Sequence, residues 1–334
     1  MSRKHFLNER RLALKAAISA TAAGMIPGLV QANNDAAYPS RTITILVPFA
    51  PGGGSDIVAR LLAVELSKRL KVGVVVDNKP GAGGQLGTSM VARANPDGYT
   101  LLLGITTLIQ APSLYKSLPY DVFKNFVPLA QLATSVNFLV VPASLPINSY
   151  KEFLDYTKAR QGKINFGSNG NAGTSHLHAS LLNSVLKLDM VHVPYNGSGP
   201  LLTAMLGQQI DCAFVDIAPL RPHVLSGKLR ILAVTGPKRS ATFPDVPTLE
   251  ELGVPGFDPV GWFSLFAPAG VPESIRTLIS NSTIEVMRSP EIVKRVEELG
   301  LTPSQMSQSA FADSMRTDLA KWQKMIQAGN VRVD

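Results

Sequence analysis

The strongest constraint on the fold is an alternation of short β-branched runs with helical stretches that occurs twice along the chain. From Arg41 the sequence predicts strand 42–48, helix 55–70, strand 74–77, helix 84–94 and strand 100–104. Parallel strands need a crossover of a dozen or more residues, and a helix between each pair supplies it, so this order predicts a parallel α/β sheet. The alternation resumes after Pro146, with helices 150–161, 175–185 and 200–206 among strands 164–167, 190–194, 211–215 and 230–235. Two extended apolar segments, 126–141 before this second unit and 261–266 after it, predict that one lobe is inserted into the other. Helices 273–287, 290–299 and 310–328, each opened by a proline or a polar cap candidate, would complete the first lobe. The expected division is 38–140 with 260–334 as lobe 1 and 141–259 as lobe 2, and 334 residues suffice to bury both cores.

Residues 1–32 read as an export signal. Arg3, Lys4, Arg10, Arg11 and Lys15 precede a small apolar run, 16–30, and Val30-Gln31-Ala32 resembles an A-x-A cleavage site. A membrane anchor is the alternative, but a span needs about 20 apolar residues and this run is shorter, broken by Pro27 and two glycines. Arg10-Arg11-Leu12-Ala13-Leu14-Lys15 resembles a twin-arginine signal, so Sec and Tat export both stay open. The net charge of +8 invites a nucleic-acid reading, yet without the leader 27 basic residues face 23 acidic ones, scattered and not interleaved with aromatics. The lone Cys212 lies in an apolar strand, where a buried inert thiol is expected, and no cysteine marks a lipoprotein cleavage site. A soluble periplasmic product with no nucleic-acid partner is therefore expected.

Three glycine-rich segments sit where strands give way to helices. In Pro48-Phe49-Ala50-Pro51-Gly52-Gly53-Gly54-Ser55-Asp56 the glycines admit close approach of a ligand to the backbone, and the free N–H groups of a helix start favour an anion. The segment has no Arg or Lys, so backbone dipoles and hydroxyls would do the holding; a tight turn with Ser55 or Asp56 as N-cap is the equally weighted alternative. Asn78-Lys79-Pro80-Gly81-Ala82-Gly83-Gly84 reads better as a turn that positions the next helix. Gly167-Ser168-Asn169-Gly170-Asn171-Ala172-Gly173-Thr174 repeats the logic of the first segment in the second unit, and two such openings could grip one carboxylate when the lobes close. Neither G-x-G-x-x-G nor G-x-x-x-x-G-K-[ST] is satisfied, so no nucleotide cofactor is expected.

Catalytic sets are thin. After the leader the histidines are His176, His178, His192 and His223, and there is no G-x-S-x-G elbow. His176 and His178 are two apart, on different sides of a helix, so they do not form an i, i+4 metal pair; structural roles are expected for all, with no metal and no catalytic residue. Asp216, at the end of strand 211–215, could accept a bond from a ligand hydroxyl or amino group, or could cap the next helix.

The quoted segments, with Tyr38-Pro39-Ser40-Arg41, Pro96-Asp97-Gly98-Tyr99-Thr100, His192-Val193-Pro194-Tyr195, Leu232-Ala233-Val234-Thr235, Pro244-Asp245-Val246-Pro247-Thr248 and Ala267-Pro268-Ala269-Gly270, resemble the substrate-binding proteins of tripartite tricarboxylate transporters, the Bug family. The resemblance covers nearly all of the chain after the leader. It implies a type II periplasmic-binding-protein fold, two α/β lobes joined by two crossing strands with the ligand cleft between them. It further implies a carboxylate held by Phe49, Ala50, Gly53, Ser55 and Asp56 on one side and Ser168, Asn171, Gly173 and Thr174 on the other, with Asp216 at an acidic position past its strand. Where relatives carry Ser or Asn after the Tyr-Thr strand, this chain has Thr106 and Thr107, either of which could take that role. Between Gly173-Thr174 and His176-Leu177 there is one residue, not the usual two, which leaves open which side chain there enters the cleft.

The function expected is capture of a small organic acid by a monomer and its delivery to membrane transporter subunits. A sensing partner of a signalling kinase, using the same cleft, is the alternative; an enzyme using Asp216 and a histidine is a third reading.

Overall fold

The run Ile43–Val47 (β1) is almost wholly buried and pairs in parallel with Val74–Asn78 (β2) and Thr100–Ile105 (β3). This computed structural model describes residues 38–304 and 306–332, so the expected export signal, 1–32, lies outside the described residues. Helix α1 (Gly54–Leu70) makes the first crossover and buries Val58, Leu62 and Leu66, a stripe at every fourth residue; it stops at Lys71, which turns left-handed. Helix α2 (Gln85–Ala92) makes the second. Strand β4 (Phe126–Ser135) and β10 (Gly261–Pro268) run antiparallel to each other, and β10 also pairs antiparallel with β3. With β11 (Thr302–Pro303) at the edge, the sheet order is β11-β4-β10-β3-β1-β2.

The second sheet holds β5 (Asn137–Pro142), β6 (Asn165–Ser168), β7 (Val191–Pro194), β8 (Cys212–Asp216) and β9 (Leu229–Val234) in the order β7-β6-β8-β5-β9. Strands β6, β7 and β8 are parallel, while β5 is antiparallel to β8 and β9. Helices α5 (Tyr150–Lys158), α6 (Thr174–Leu186), α7 (Ser198–Leu206) and α8 (Ile217–Leu225) connect them. The result is the expected α/β architecture of two lobes, one on each sheet.

Two expectations need correction. The segment 126–141 is not one extended piece: β4 and β5 belong to different sheets and only Val136 separates them. Its unbroken apolar character hid the break. Helix α3 (Thr107–Leu114), unforeseen because two threonines open it and Pro112 lies inside it, follows β3, and a short α4 (Val122–Asn125) precedes β4. The last helices are α9 (Glu273–Arg288), α10 (Pro290–Glu298) and α11 (Gln308–Ala328), and α11 packs on α3 and β4 and also on α6. Near its start Phe311 stands edge-on to Trp262 of β10, and near its end the buried Trp322 lies 5.6 Å from the ring of His178 on α6. One helix thus anchors an aromatic side chain in each lobe, and each buried aromatic contributes about 3 kcal/mol to holding it there.

The first crossing, at Val136, leads straight into a bonded pair of the second sheet. Thr235, just past β9, donates its N–H to the Asn137 carbonyl, and Asn137 donates its N–H to Thr235 Oγ1, both at 2.9 Å.

Candidate ligand-binding site

Every segment singled out above lies at the carboxyl end of a parallel strand, where α/β sheets leave room for ligands. The loop between β1 and α1 is held in shape by its own polar groups. Asp56 Oδ2 accepts bonds from the Gly52 N–H at 2.9 Å and from Arg60 Nε at 3.0 Å, and Arg60 continues to Asn78 Oδ1. Asn78 Nδ2 in turn donates to the Phe49 carbonyl. Burial pushes the Asp56 carboxyl up, but the bonds from Arg60, Gly52 and Asn78 outweigh it and hold the group below its ordinary value. Gly52, at φ +84°, supplies the left-handed turn this arrangement requires. The Phe49 ring lies on Gly84, where a Cβ would come within 2.9 Å of it, so the second glycine segment positions the first.

The N-cap of α1 is Gly53, not Ser55 or Asp56, and no side chain caps it. The first ladder bond runs from the Ile57 N–H to the Gly53 carbonyl, which leaves the N–H groups of Gly54, Ser55 and Asp56 without an intrahelical acceptor. Ala50 and Gly53 are exposed, whereas the side chains of Ser55 and Asp56 are buried. In lobe 2, Gly173 likewise caps α6 without a side chain, and the first bond runs from Leu177 to Gly173. A serine or aspartate at either cap would occupy these donors; glycine leaves both openings free for an outside anion.

The lobe 2 loop is braced from within. Ser168, fully buried, donates to the Gly170 carbonyl at 3.0 Å and meets His192 Nε2 at 2.7 Å. Asn169 donates its N–H to Ser175 Oγ, which donates to Asn169 Oδ1. Ala172, at φ +56°, donates its N–H to His176 Nδ1 at 3.0 Å, and the His176 and His192 rings stack 3.7 Å apart on Phe166. Burial, and for His176 also the neighbouring His192, pushes both imidazoles down to about 4, so both are neutral near pH 7. The Ser168 hydroxyl is thus engaged inside the loop, Asn171 is exposed, and Thr174 alone of these four side chains reaches the other lobe.

Thr174 meets Gln110 of α3, with Gln110 Nε2 3.3 Å and Oε1 3.4 Å from Thr174 Oγ1. Thr106 is buried and accepts the Trp262 N–H of β10, tying the end of β3 to a crossing strand; Thr107 is half-buried beside it. Asp216 sits at the N-cap of α8, but its side chain does not cap the helix. It accepts a 2.8 Å bond from Asn137 Nδ2, and Asn137 Oδ1 faces His178 Nδ1 at 3.0 Å. Burial raises the Asp216 carboxyl to about 6 despite the Asn137 bond, and pushes His178 down to about 3. Cys212 is buried beside Met190, its thiol pushed well up by burial.

Sequence reasoning passed over two residues that organise this region. Asn137, next to the first crossing, joins Asp216 and His178, and Gln110 reaches across the lobes; neither lies in a glycine-rich motif, and a polar residue inside an apolar run, Val136-Asn137-Phe138 and Leu108-Ile109-Gln110, is the signal that was available. Segment 195–197, which precedes α7, also lies beside the lobe 2 loop: Tyr195 donates its N–H to the Ser168 carbonyl and Gly197 to that of Asn169.

Two lobes with crossing strands between them and open helix starts in each define a periplasmic-binding-protein fold of the solute-binding class. Residues 58–331 match the family described as tripartite tricarboxylate transporter family receptor, and the chain belongs to that family, which includes the Bug proteins. It is 34% identical to Protein BugT of Bordetella pertussis over 292 residues, 87% of this chain and 90% of that one. Among solved structures it is similar to R. palustris Rpa4515 with adipate (30% identity, TM-score 0.84, 88% of this chain and 99% of that one). It is also similar to MatC from Rhodopseudomonas palustris with bound malate (33%, TM-score 0.80, 86% and 100%). The family is one of periplasmic solute-binding receptors and not of enzymes. No helix among the described residues is long and apolar enough to cross a membrane.

Proposed function

We propose that this protein is exported by its 1–32 leader, captures a small carboxylate in the periplasm between its two lobes, and delivers it to the membrane subunits of a tripartite tricarboxylate-type transporter. The observation that carries the reading is the pair of glycine-capped helix starts, α1 and α6, one in each lobe, with Thr174 of one lobe already touching Gln110 of the other. The carboxylate would take N–H groups of Gly54, Ser55 and Asp56 from lobe 1, left uncovered by the Gly53 cap, and of Thr174 and Ser175 from lobe 2. Phe49, Ala50 and Asp56 shape the first opening; Ser168, Asn171 and Gly173 shape the second. Thr106 and Thr107 line the end of β3, and Asp216 would receive a donor at the far end of the ligand. The adipate and malate bound by similar proteins support this class of ligand.

The test is thermal unfolding of ligand-stripped protein against mono-, di- and tricarboxylates, adipate and malate included. A ligand at a hundred times its Kd stabilises by about 2.7 kcal/mol, a resolvable shift. Unchanged melting with every acid in the panel would sink the proposal. Delivery is tested separately, by co-purification of the loaded protein with the transporter's membrane subunits.

A further inference from the structure

Gln110 is fully buried, yet it is poorly satisfied. A primary amide offers two N–H donors and a carbonyl with two lone pairs, and the only side-chain partner of Gln110 among the described residues is Thr174 Oγ1. Both contacts are long, and the single hydroxyl leaves the second N–H and the second carbonyl lone pair of the amide without a side-chain partner. A buried amide left with spare capacity costs stability, and such groups in a folded protein call for an explanation. The position of Gln110 supplies one. It lies on the second turn of α3, whose first residues follow β3 into the cleft, and it points at the first residue of α6, whose N–H groups have no acceptor within the helix.

We propose that Gln110 is a specificity-determining ligand contact, an amide donor from lobe 1 that shares one oxygen of the ligand carboxylate with the Thr174 hydroxyl and the α6 N–H groups of lobe 2. In the empty protein Gln110 and Thr174 satisfy each other weakly; a carboxylate between them accepts from both and turns two long bonds into charge-assisted ones. The contact rests on the carboxylate-capture reading above. It explains how a cleft whose gripping loops lack Lys and Arg still selects an anion: three neutral donors from two lobes converge only when the lobes are closed.

The test compares wild type with Gln110→Met, of similar length, and Gln110→Glu, with adipate and malate titrated calorimetrically. Loss of one hydrogen bond to a charged group predicts that Gln110→Met weakens binding at least about tenfold. The carboxylate introduced by Gln110→Glu repels the ligand and predicts a loss of about a hundredfold or more, narrowing relative to Gln110→Met as the pH is lowered from 7.5 to 5.5 and that group gains a proton. A mere latch between Gln110 and Thr174 predicts the reverse, because a glutamate still accepts the Thr174 hydroxyl and would keep wild-type affinity. Should the buried charge prevent folding, Gln110→Met is combined with Thr174→Val: losses that add support two separate ligand contacts, whereas a double variant no worse than either single one means a latch and overturns the proposal. Wild-type affinity in Gln110→Met overturns the contact alone; no binding of any carboxylate by wild type overturns the function and the contact together.

Discussion

Lowering the pH of the ligand-free protein from 7.5 to 5 should remove about 4 to 5 kcal/mol of its stability, and the structure says why. His178 lies among the rings of Phe214, Phe257 and Trp322. Because Asn137 Nδ2 donates to Asp216, the Asn137 carbonyl oxygen faces His178 and receives its Nδ1–H. A second proton must go to Nε2, which is buried with no acceptor, so burial pushes the group from 6.5 down to about 3. His176 uses Nδ1 to accept the Ala172 N–H and stacks on His192, and burial holds both of these near 4. All three groups have folded values below the unfolded one, so the stability they confer is complete above pH 6.5 and drains away as the pH falls toward their folded values. At pH 5 His178 and His176 have each lost about 2 kcal/mol, from 1.36 kcal/mol per unit, and the more exposed His192, screened by solvent, about 1 kcal/mol, or about 5 kcal/mol for the three.

Asp216 works in the other direction. Its folded value, about 6, lies above the ordinary 3.8, so its contribution is absent at neutral pH and returns as the pH falls through 6. By pH 5 that recovers about 1 kcal/mol and leaves the net loss stated above. Urea unfolding followed by tryptophan fluorescence at the two pH values measures it, with an unchanged m-value identifying stability as the cause. His178→Gln, which can still donate to Asn137, should lose about 2 kcal/mol less than wild type over the same range. A midpoint that does not move between pH 7.5 and 5, or a variant that loses as much as wild type, would refute the placement of these rings.

Other substitutions probe other links. Asn137→Ala strips a partner from Asp216 and another from His178, and should cost about 2 to 4 kcal/mol in urea unfolding while raising the Asp216 carboxyl further, read by NMR titration. Gly87→Ala would place a Cβ 2.7 Å from the Lys79 carbonyl and 2.9 Å from Pro48 Cα, backbone atoms of the two glycine segments of lobe 1, so it should destabilise by about 1 to 3 kcal/mol and weaken carboxylate binding as well. Thr174→Ala should weaken binding by about 0.5 to 1.5 kcal/mol in calorimetry, with melting of the empty protein almost unmoved; unchanged affinity would assign its hydroxyl to Gln110 alone.

How much of this was legible in the sequence follows from the range of the forces involved. Strands such as β1 and helices such as α1 are encoded locally, by β-branched runs and by an apolar residue at every fourth position, and their limits come within a residue or two of the expected ones. The glycine-rich segments that open α1 and α6 were legible for the same reason, although the cap of α1 fell on Gly53 and not on Ser55 or Asp56. What escaped was set by partners distant in sequence. Nothing around Asn137 shows that its side chain will join residues 41 positions and 79 positions away, and nothing around Trp322 shows that α11 will pack its ring against His178. Val136 alone separates the two sheets where the chain first crosses, and Asn137, the next residue, is fixed within the second sheet by its bonds with Thr235. Asp216 and His178 hang from the same asparagine. A ligand donor that pairs with Asp216 would therefore be felt at Asn137, one residue from the point where the chain passes between the sheets.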